Sequence, residues 1–589
     1  MTSVTKSLGN LIWPTPRDNS PHRPHNYIHP IMQRNPASYV ESKTVLDWAA
    51  AGASLASAAS QFFELSVKLG SQCTAVDRKL SDLVTLIDES LYLLQAILDN
   101  QLTGACLALS SARNRLAYSI LHLPHEIISN IFSAFVYDPR DSLQPSVIKM
   151  DDRVELIYRH LHTLLGVCTA WRKIGLSCRA LWSVIPFVDP FDGRQRILVT
   201  ELSLQRAGIR GLHLAASLLG FPFPRLQILK GHMHRFSTIN VWSNSDSYGI
   251  NEILEMLLEN GDSNVSKLSL RQGHPSDSVH EGESLSDRFD VRLSGLLKSL
   301  SVLRVDNLIF DWEKTAFSNH LVELWISNVV LHGPSEIHLL LKSLSSAPEL
   351  CDLKLISVQG VLDDGAGPID KISFPKLKSL HLESLPFNFL EMILHVIVPG
   401  SHHLTLNPCD EINYNYPPDN VIEVEVICQL LRGIKVHKLI LSMEEEGFWG
   451  TARGLRKMLK SVPTLKSLAL NFYDIDRDMM MALTPKTQSG RPTQYGNFPK
   501  LELLEIYCAT FPMQLGDIKL GFKALLKLHN LQKMVLGGSL QGSDDQEGHL
   551  LDESYEFVTW LRSNISEFHL CLDPEYVPEL LVLWELWDV

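Results

Sequence analysis

A spacing of apolar residues recurs along most of the chain after Pro190: one apolar residue, two others, a second apolar residue, one other, and a third. Because neighbouring side chains of a strand point to opposite faces, each copy predicts a short strand with one buried face. Weaker copies stand at Leu226-Leu229 and Leu404-Leu406. The full copies are Ile209-Leu212-Leu214, Val265-Leu268-Leu270, Leu300-Leu303-Val305, Leu321-Leu324-Ile326, Leu350-Leu353-Leu355, Leu377-Leu380-Leu382, Val436-Leu439-Leu441, Leu465-Leu468-Leu470, Leu501-Leu504-Ile506, Leu531-Met534-Leu536 and Ile565-Phe568-Leu570.

Helical stretches separate these strands. Three of them end in Leu-Lys-Ser, at residues 297–299, 341–343 and 459–461. One strand with one helix cannot bury an apolar face alone, so such units stack on one another. We therefore predict an α/β fold in which residues 200–575 form an irregular, horseshoe-like leucine-rich-repeat solenoid. Three similar runs predict strand starts: Phe223-Pro224-Arg225-Leu226, Phe374-Pro375-Lys376-Leu377 and Phe498-Pro499-Lys500-Leu501.

Two polar stretches interrupt the repeats, at residues 271–290 and 484–497, and we predict long loops there. The asparagine that usually ends the strand of a leucine-rich repeat is missing from most copies, so no asparagine ladder is expected.

The residues between the repeated apolar positions are predicted to face the concave surface of the solenoid. In four consecutive copies they are Arg304, Trp325, Lys354 and His381. A tryptophan among cationic side chains is typical of a protein-binding hot spot, so this row is our candidate target-binding surface. The alternative is a solvated strand face on which a neighbouring loop partly covers Trp325.

Residues 44–118 have a helical pattern. Apolar residues recur every seven positions at Leu55, Phe62, Leu69, Val76 and Leu83, and a second apolar line follows Leu80, Ile87 and Leu94. Such a stripe packs against another helix, either within the chain or in a coiled coil. The interruptions at Gly52 and Gly70, with many alanines and serines, favour an intramolecular hairpin over a long dimeric coil.

A helical module is predicted over residues 119–190. Pro124 and Glu126 suit the first turn of a helix, which tolerates a missing donor and favours an acidic side chain. Residues 138–152 are predicted as an inserted loop. Helix is expected again from about Val154, and an apolar stripe leads to Trp171 through Leu161, Leu164, Leu165 and Cys168. The first helix carries an apolar face at Ile127, Ile128, Ile131, Phe132 and Phe135.

The residues of this module resemble an F-box. Its opening motif matches Leu123, Pro124, Glu126 and Ile127, its Ile-Phe pair matches Ile131 and Phe132, its Val-Cys-x-x-Trp matches Val167, Cys168 and Trp171, and its Leu-Trp matches Leu181 and Trp182. The chain departs from the ordinary F-box by the loop between the two halves, a feature of many fungal F-box-like proteins.

The resemblance implies a docking site for the Skp-family adaptor of a cullin-based, SCF-type ubiquitin ligase. The candidate adaptor-binding residues are Leu123, Pro124, Ile127, Ile131 and Trp171, since aliphatic and aromatic anchors dominate interface energies. The alternative is that Ile131, Phe132 and Trp171 form only the core of the module.

Composition narrows the class of protein. The chain has 589 residues, 45% of them hydrophobic and 20% charged, as in folded proteins. Its net charge of −13 gives no sign of the excess of basic residues that attracts nucleic acid. The 9 cysteines include no C-x-x-C pair, and no apolar run reaches the length of a membrane span. We expect a cytoplasmic or nuclear protein without nucleic-acid or membrane partners.

The two ends of the chain are predicted to form a tail and a cap. Prolines are frequent in residues 1–43, which predicts a disordered tail. His22, His25 and His29 stand at helical spacing for a metal, but Pro24 and Pro30 argue against a helix there. The apolar residues 576–589 are predicted to cap the last repeat, with an exposed docking peptide as the alternative.

Motifs for chemistry are missing from the sequence. It contains no phosphate-binding loop, no H-E-x-x-H and no G-x-S-x-G, and Cys168 has no cationic cluster beside it in sequence. We expect no cofactor, no bound metal and no catalytic activity. The predicted function is a substrate-recognition adaptor that binds the Skp-family adaptor and an unknown target protein. The alternative is a repeat scaffold without a ubiquitin-ligase role.

Overall fold

The computed structural model describes residues 43–72, 80–116, 123–137, 149–188, 193–209, 211–218, 226–243, 248–259, 264–273, 286–331, 335–360, 370–413, 421–443, 447–485, 498–541 and 549–571. The chain divides into two compact units, residues 1–117 and 118–589. The predicted N-terminal tail and the C-terminal cap at 576–589 lie outside the described residues, as do most of the two predicted loops.

The first unit contributes two long helices, α1 (Lys43–Gln72) and α2 (Leu80–Leu116). The predicted seven-residue line is therefore divided between them. Leu55, Phe62 and Leu69 lie on α1, and Leu83 lies on α2. Val76 is outside the described residues.

The second unit begins with a helical module, whose helices are α3 (His125–Val136), α4 (Met150–Val167) and α5 (Thr169–Ser177), followed by a 3-10 turn at Arg179–Trp182. Two expectations need correction. Helix α4 begins at Met150, so the predicted loop does not reach Asp152. The helix also ends at Val167, and Cys168 is extended, with φ −161°, rather than part of a helical stripe.

The repeat region follows with alternating strands and helices. The strands are β1 (Val184–Phe187), β2 (Leu212–Leu218), β3 (Phe236–Ser243), β4 (Lys267–Gln272), β5 (Val302–Asp306), β6 (Glu323–Leu331), β7 (Asp352–Gly360), β8 (Ser379–Glu383), β9 (His403–Asn407), β10 (Val436–Ser442), β11 (Ser467–Asn471), β12 (Leu503–Phe511), β13 (Lys533–Leu540), β14 (His549–Leu550) and β15 (Glu567–Cys571). The helices are α6 (Gly193–Arg206), α7 (Gln227–Lys230), α8 (Tyr248–Glu259), α9 (Ser286–Leu297), α10 (Glu336–Leu344), α11 (Phe387–Val396), α12 (Val424–Arg432), α13 (Ala452–Ser461), α14 (Arg477–Ala482), α15 (Leu515–Leu528) and α16 (Glu556–Asn564).

All described strands belong to one 15-stranded sheet, in which β1 to β13 follow one another in chain order. These neighbours pair in parallel, β15 pairs in parallel with β13, and the short β14 pairs with β13 in the antiparallel direction. One face of the sheet packs against helices in a continuous apolar core, in which Leu303 and Val305 of β5 join Leu340 and Leu341 of α10. The result is a mixed α/β architecture with a parallel strand series, consistent with a leucine-rich-repeat solenoid.

The repeated apolar spacing predicts most of these strands. The second and third apolar residues of every full copy lie in a strand, and so do Leu404 and Leu406. The weaker copy at Leu226-Leu229 is wrong, because this segment is a turn followed by α7. The matching strand is β3, ten residues later.

Two strands that were not predicted follow the same spacing with an aromatic residue in first position. They are Trp182-Ile185-Phe187 at β1 and Phe236-Ile239-Val241 at β3, and all six side chains are buried. Because β1 lies inside residues 119–190, the sheet starts within the range assigned to the helical module. Ile209 is an exception of the opposite kind. It is the first apolar residue of a full copy of the spacing, but its side chain is 74% exposed.

The predicted polar stretch at 271–290 is shorter than expected. Arg271 and Gln272 belong to β4, and α9 begins at Ser286. In the second stretch, Thr484 and Pro485 are the described residues, and Thr484 is buried.

In many strands, a residue with left-handed backbone conformation follows the segment whose side chains alternate into the core. Two positions after the third apolar residue, φ is positive at Asn307, Asn328, Ser357, Ser384, Phe472 and Cys508. This conformation shifts the alternation by one, so the next side chain also turns inward. Those next residues are Leu308, Val329, Val358, Leu385, Tyr473 and Ala509, all buried. They add a further apolar layer to these six repeats.

Candidate functional site

Helix α3 starts as the sequence indicates. Pro124 is the residue before the first turn, and its carbonyl accepts hydrogen bonds from the backbone N–H groups of Ile127 at 3.0 Å and Ile128 at 3.1 Å. Glu126 lies in the first turn, where a carboxylate interacts favourably with the helix dipole. This start fixes which residues of the helix face the module.

The helix presents two apolar faces. Ile128, Phe132 and Val136 point inward and are at most 1% exposed. A second face, about 100° around the helix from the first, remains open to solvent, although four of its side chains are as apolar as the core. We call this side the α3 apolar line: Leu123 (40% exposed), Pro124 (exposed), Ile127 (45%), Ile131 (41%) and Phe135 (42%).

Trp171 lies behind this line rather than on it. The Sγ atom of Cys168 accepts a hydrogen bond from the backbone N–H of Trp171 at 3.5 Å, which caps α5. The indole is half-buried, and its ring centroid is 4.9 Å from that of the buried Phe132. Trp171 thus packs against the inner side of α3. The alternative interpretation placed Ile131 in the core together with Phe132 and Trp171, whereas Ile131 is 41% exposed.

Three exposed apolar residues of the module were not among the predicted site residues. They are Phe135, one turn beyond Ile131, and Val167 and Leu176 at the ends of α4 and α5, which are 54% and 36% exposed. The four-residue spacing of Ile127, Ile131 and Phe135 is the signal that identifies Phe135. Val167 and Leu176 depend on how the helices pack, which the spacing does not reveal.

The module is joined to the first strands by buried contacts. The hydroxyl of Tyr158 on α4 donates to the carbonyl of Val184 on β1 at 3.0 Å and hydrogen-bonds the hydroxyl of Ser203 on α6 at 2.7 Å. Burial raises the pKa of Tyr158 well above its usual range. Ala215 of β2 and Trp242 of β3 pack in the same apolar cluster as the helices of the module. Module and first repeats therefore share one core.

A second candidate surface lies on the strand face turned away from the helices. The parallel register places Arg304, Trp325, Lys354 and His381 side by side on β5 to β8. The cationic groups flank the indole: the guanidinium carbon of Arg304 is 5.7 Å and the Nζ of Lys354 is 4.7 Å from its ring. We call Arg304, Trp325 and Lys354 the Trp325 patch.

Acidic side chains border the Trp325 patch. The Nε of Arg304 donates to a carboxylate oxygen of Glu323 at 2.7 Å. The neighbouring Asp352 has a raised pKa, first because it is partly buried and then because Glu323 is close. Opposite charges therefore alternate around the indole, and the patch suits a partner with both charge signs and an apolar anchor.

His381 differs from the rest of its row. It is 5% exposed, and its Nε2 lies 2.7 Å from a carboxylate oxygen of the equally buried Glu383. The prediction that His381 belongs to an exposed surface is wrong, because its imidazole is buried next to the carboxylate of Glu383. Trp325 itself is half-buried between its two cations.

Other kinds of site are not found among the residues that the structure describes. No group of three or more His, Cys, Asp or Glu side chains is placed to hold a metal ion. In the same part of the chain, no helix combines the length and the apolar character needed to cross a membrane. His22, His25 and His29, considered above as metal ligands, lie outside the described residues.

Comparison with known proteins identifies no family for this chain. No protein-family model matches the chain, and no curated protein is similar to it. Among solved structures, the chain is similar to an internalin (InlF) of Listeria monocytogenes str. 4b F2365. The two share 14% sequence identity over 58% of this chain and 89% of the internalin, with a TM-score of 0.24. The repeat architecture therefore rests on the strand order and packing described above.

Proposed function

We propose that the chain is a non-catalytic adaptor of a cullin-based ubiquitin ligase. In this proposal the helical module binds a Skp-family adaptor, and the repeats bind a target protein. The observation that carries the proposal is the α3 apolar line, because a well-packed module leaves a whole apolar helix face exposed. Its members include Leu123, Pro124, Ile127 and Ile131, the positions that match the docking residues of the F-box. Such exposed apolar faces in folded proteins mark interaction sites.

The mechanism follows from the joint between module and sheet. Since Tyr158, Val184 and Ser203 connect them through buried hydrogen bonds, the α3 apolar line and the strands are held in a fixed relation. A target bound on the strands would be kept near the ubiquitin-conjugating enzyme of the ligase. The contribution of the chain would be a raised effective concentration rather than chemistry at a catalytic group.

The first experiment tests adaptor binding. The full chain is co-purified with a Skp-family adaptor, as wild type and as the double variant Leu123→Ala with Pro124→Ala. We expect the wild type to retain the adaptor and the variant to lose at least roughly tenfold in affinity, since central apolar anchors dominate interfaces. Absence of the adaptor from the wild-type complex would rule out the ligase role.

A matched pair of variants localises the interface. Ile131→Asp places a carboxylate on the α3 apolar line, whereas Asn130→Asp places one on the adjacent exposed position of the same helix. Ile131→Asp should abolish adaptor binding and Asn130→Asp should not. If both variants bind alike, the docking face lies elsewhere.

The second experiment tests the target surface. We expect Trp325→Ala to reduce the recovery of bound target proteins while the melting temperature falls by only about 2–4 °C, because each cation–π contact at a partly exposed site contributes about 0.5–1 kcal/mol. Val322→Ala, which shortens an exposed apolar side chain just before β6, serves as the control. A large fall in melting temperature would show that Trp325 is a core residue.

A scaffold without a ligase role is the second candidate. It is favoured by the apolar cluster that the module shares with Ala215 and Trp242, because such packing would also be expected of a purely structural cap on the first repeats. The two functions differ in one result: a scaffold would keep its targets and bind no Skp-family adaptor.

A further inference from the structure

Helix α1 carries a regular apolar seam that nothing covers in the described part of the chain. Trp48, Leu55, Phe62 and Leu69 follow at intervals of seven and are 56%, 48%, 52% and 41% exposed. Three residues after the first three of them come Ala51, Ala58 and Leu65, which are exposed as well. This is the a and d pattern of a coiled coil, kept over about three heptads of a 30-residue helix.

We propose that α1 pairs with α1 of a second copy of this chain as an antiparallel two-helix coiled coil. In the register with the fullest overlap, residue 48 of one copy lies opposite residue 65 of the other. The same register places Ala51 opposite Phe62 and Leu55 opposite Ala58. Each layer next to the two-fold axis then combines a large side chain with a small one, as close packing of two helices requires.

The charges of α1 support this register and this partner. The helix has four charged residues, Lys43, Asp47, Glu64 and Lys68. Lys43 and Glu64 fall at outer positions of the heptad, whereas Asp47 and Lys68 flank the seam. In the antiparallel register Asp47 of each copy lies two residues from the level of Lys68 of the other, along the same edge of the seam, which allows two symmetric ion pairs. A surface that is complementary to itself in both size and charge fits a two-fold dimer.

A parallel pairing lacks these features. Tryptophan would face tryptophan and phenylalanine would face phenylalanine, and Asp47 would lie opposite Gly52. The pattern therefore selects the antiparallel direction, and the dimer requires no Skp-family adaptor or target protein.

The full chain is tested first for its state of association by sedimentation velocity. We expect two chains per particle for the wild type, and a dissociation constant at least roughly a hundredfold higher for Phe62→Asp, because a carboxylate would be buried without a partner. Phe63→Asp is the matched control, since Phe63 is 69% exposed but lies off the seam, and its dimer should persist. A monomeric wild type, or equal effects of the two variants, overturns the proposal.

Charge reversal tests the direction. Asp47→Lys and Lys68→Asp should each weaken the dimer, and the double variant should restore it, because the opposite charges face each other again. Failure of the double variant to recover the dimer overturns the antiparallel register. If Phe62→Asp instead lowers the melting temperature of a monomer, the seam packs within one chain and the proposal is wrong.

Discussion

Burial of one histidine ties the stability of the first repeats to pH. His213 lies on β2 between Val184 and Thr238 of the neighbouring strands. Burial, and secondarily the charge of Lys267, lowers its pKa to about 4, whereas a histidine in an unfolded chain titrates near pH 6.5. Between these values the unfolded state binds more protons than the folded state, so stability falls as the pH is lowered.

The corresponding prediction compares the wild type with His213→Gln by urea unfolding at pH 7.5 and pH 5. The wild type should lose about 2 kcal/mol more than the variant over this interval, because only the wild type must keep residue 213 neutral in the folded state. Other buried histidines, such as His529, contribute equally to both proteins and cancel in the difference. An identical loss in both proteins would show that His213 is accessible to water.

At the residue scale, the sequence limits what can be predicted about exposure. Helix α3 has apolar residues on both sides, so the pattern alone did not distinguish the buried Phe132 from the exposed Ile131. Likewise Lys354 and His381 hold equivalent positions on adjacent strands. They differ because Glu383 pairs with the imidazole, a contact that the spacing of apolar residues does not encode.

At the scale of single elements, a left-handed residue within or just after six of the described strands determines how far the core extends. Ser357 has φ 49° and stands directly before the buried Val358, beside the left-handed Asn328 of the preceding strand. Strands were predictable because apolar residues repeat at a fixed spacing. These turns were not, because asparagine, serine, phenylalanine and cysteine all occupy them and share no side-chain signature.

We predict that Ser357→Val lowers the free energy of unfolding by about 1–3 kcal/mol, because a β-branched residue is strained at positive φ. Ser357→Gly should avoid this loss. The control is Gln359→Val, which introduces the same side chain on the same strand β7 at a position without positive φ. Chemical denaturation of the three variants measures the difference. Equal effects of the two valine variants would mean that side-chain loss, not backbone strain, is responsible.

At the scale of the whole molecule, the repeat array was predictable and its joint with the helical module was not. The array follows from one spacing that recurs along the chain. The joint depends on Ala215 and Trp242 packing in the apolar cluster of the module, and these residues share no sequence pattern with its helices. The sequence therefore placed the beginning of the sheet after residue 190, although β1 begins at Val184.

A substitution at Tyr158 tests the joint between the helical module and the sheet. Tyr158→Phe removes the hydroxyl that hydrogen-bonds Val184 and Ser203 and leaves a buried carbonyl without its donor. We expect the free energy of unfolding of the second unit to fall by about 1–3 kcal/mol. Tyr92→Phe, at a position on α2 that is 76% exposed, should have no measurable effect. If Tyr158→Phe changes the free energy of unfolding no more than Tyr92→Phe does, the joint rests on apolar packing alone.

Strictly sequential strand pairing has a consequence for how this chain can evolve. Because β5, β6 and β7 contact one another only in chain order, loss or duplication of one internal strand–helix unit leaves a sheet whose remaining edges still match. Such a change would add or remove a position like Trp325 without altering α3 or the joint at Val184. Unequal recombination between repeats can therefore diversify one end of the protein while the other end stays constant.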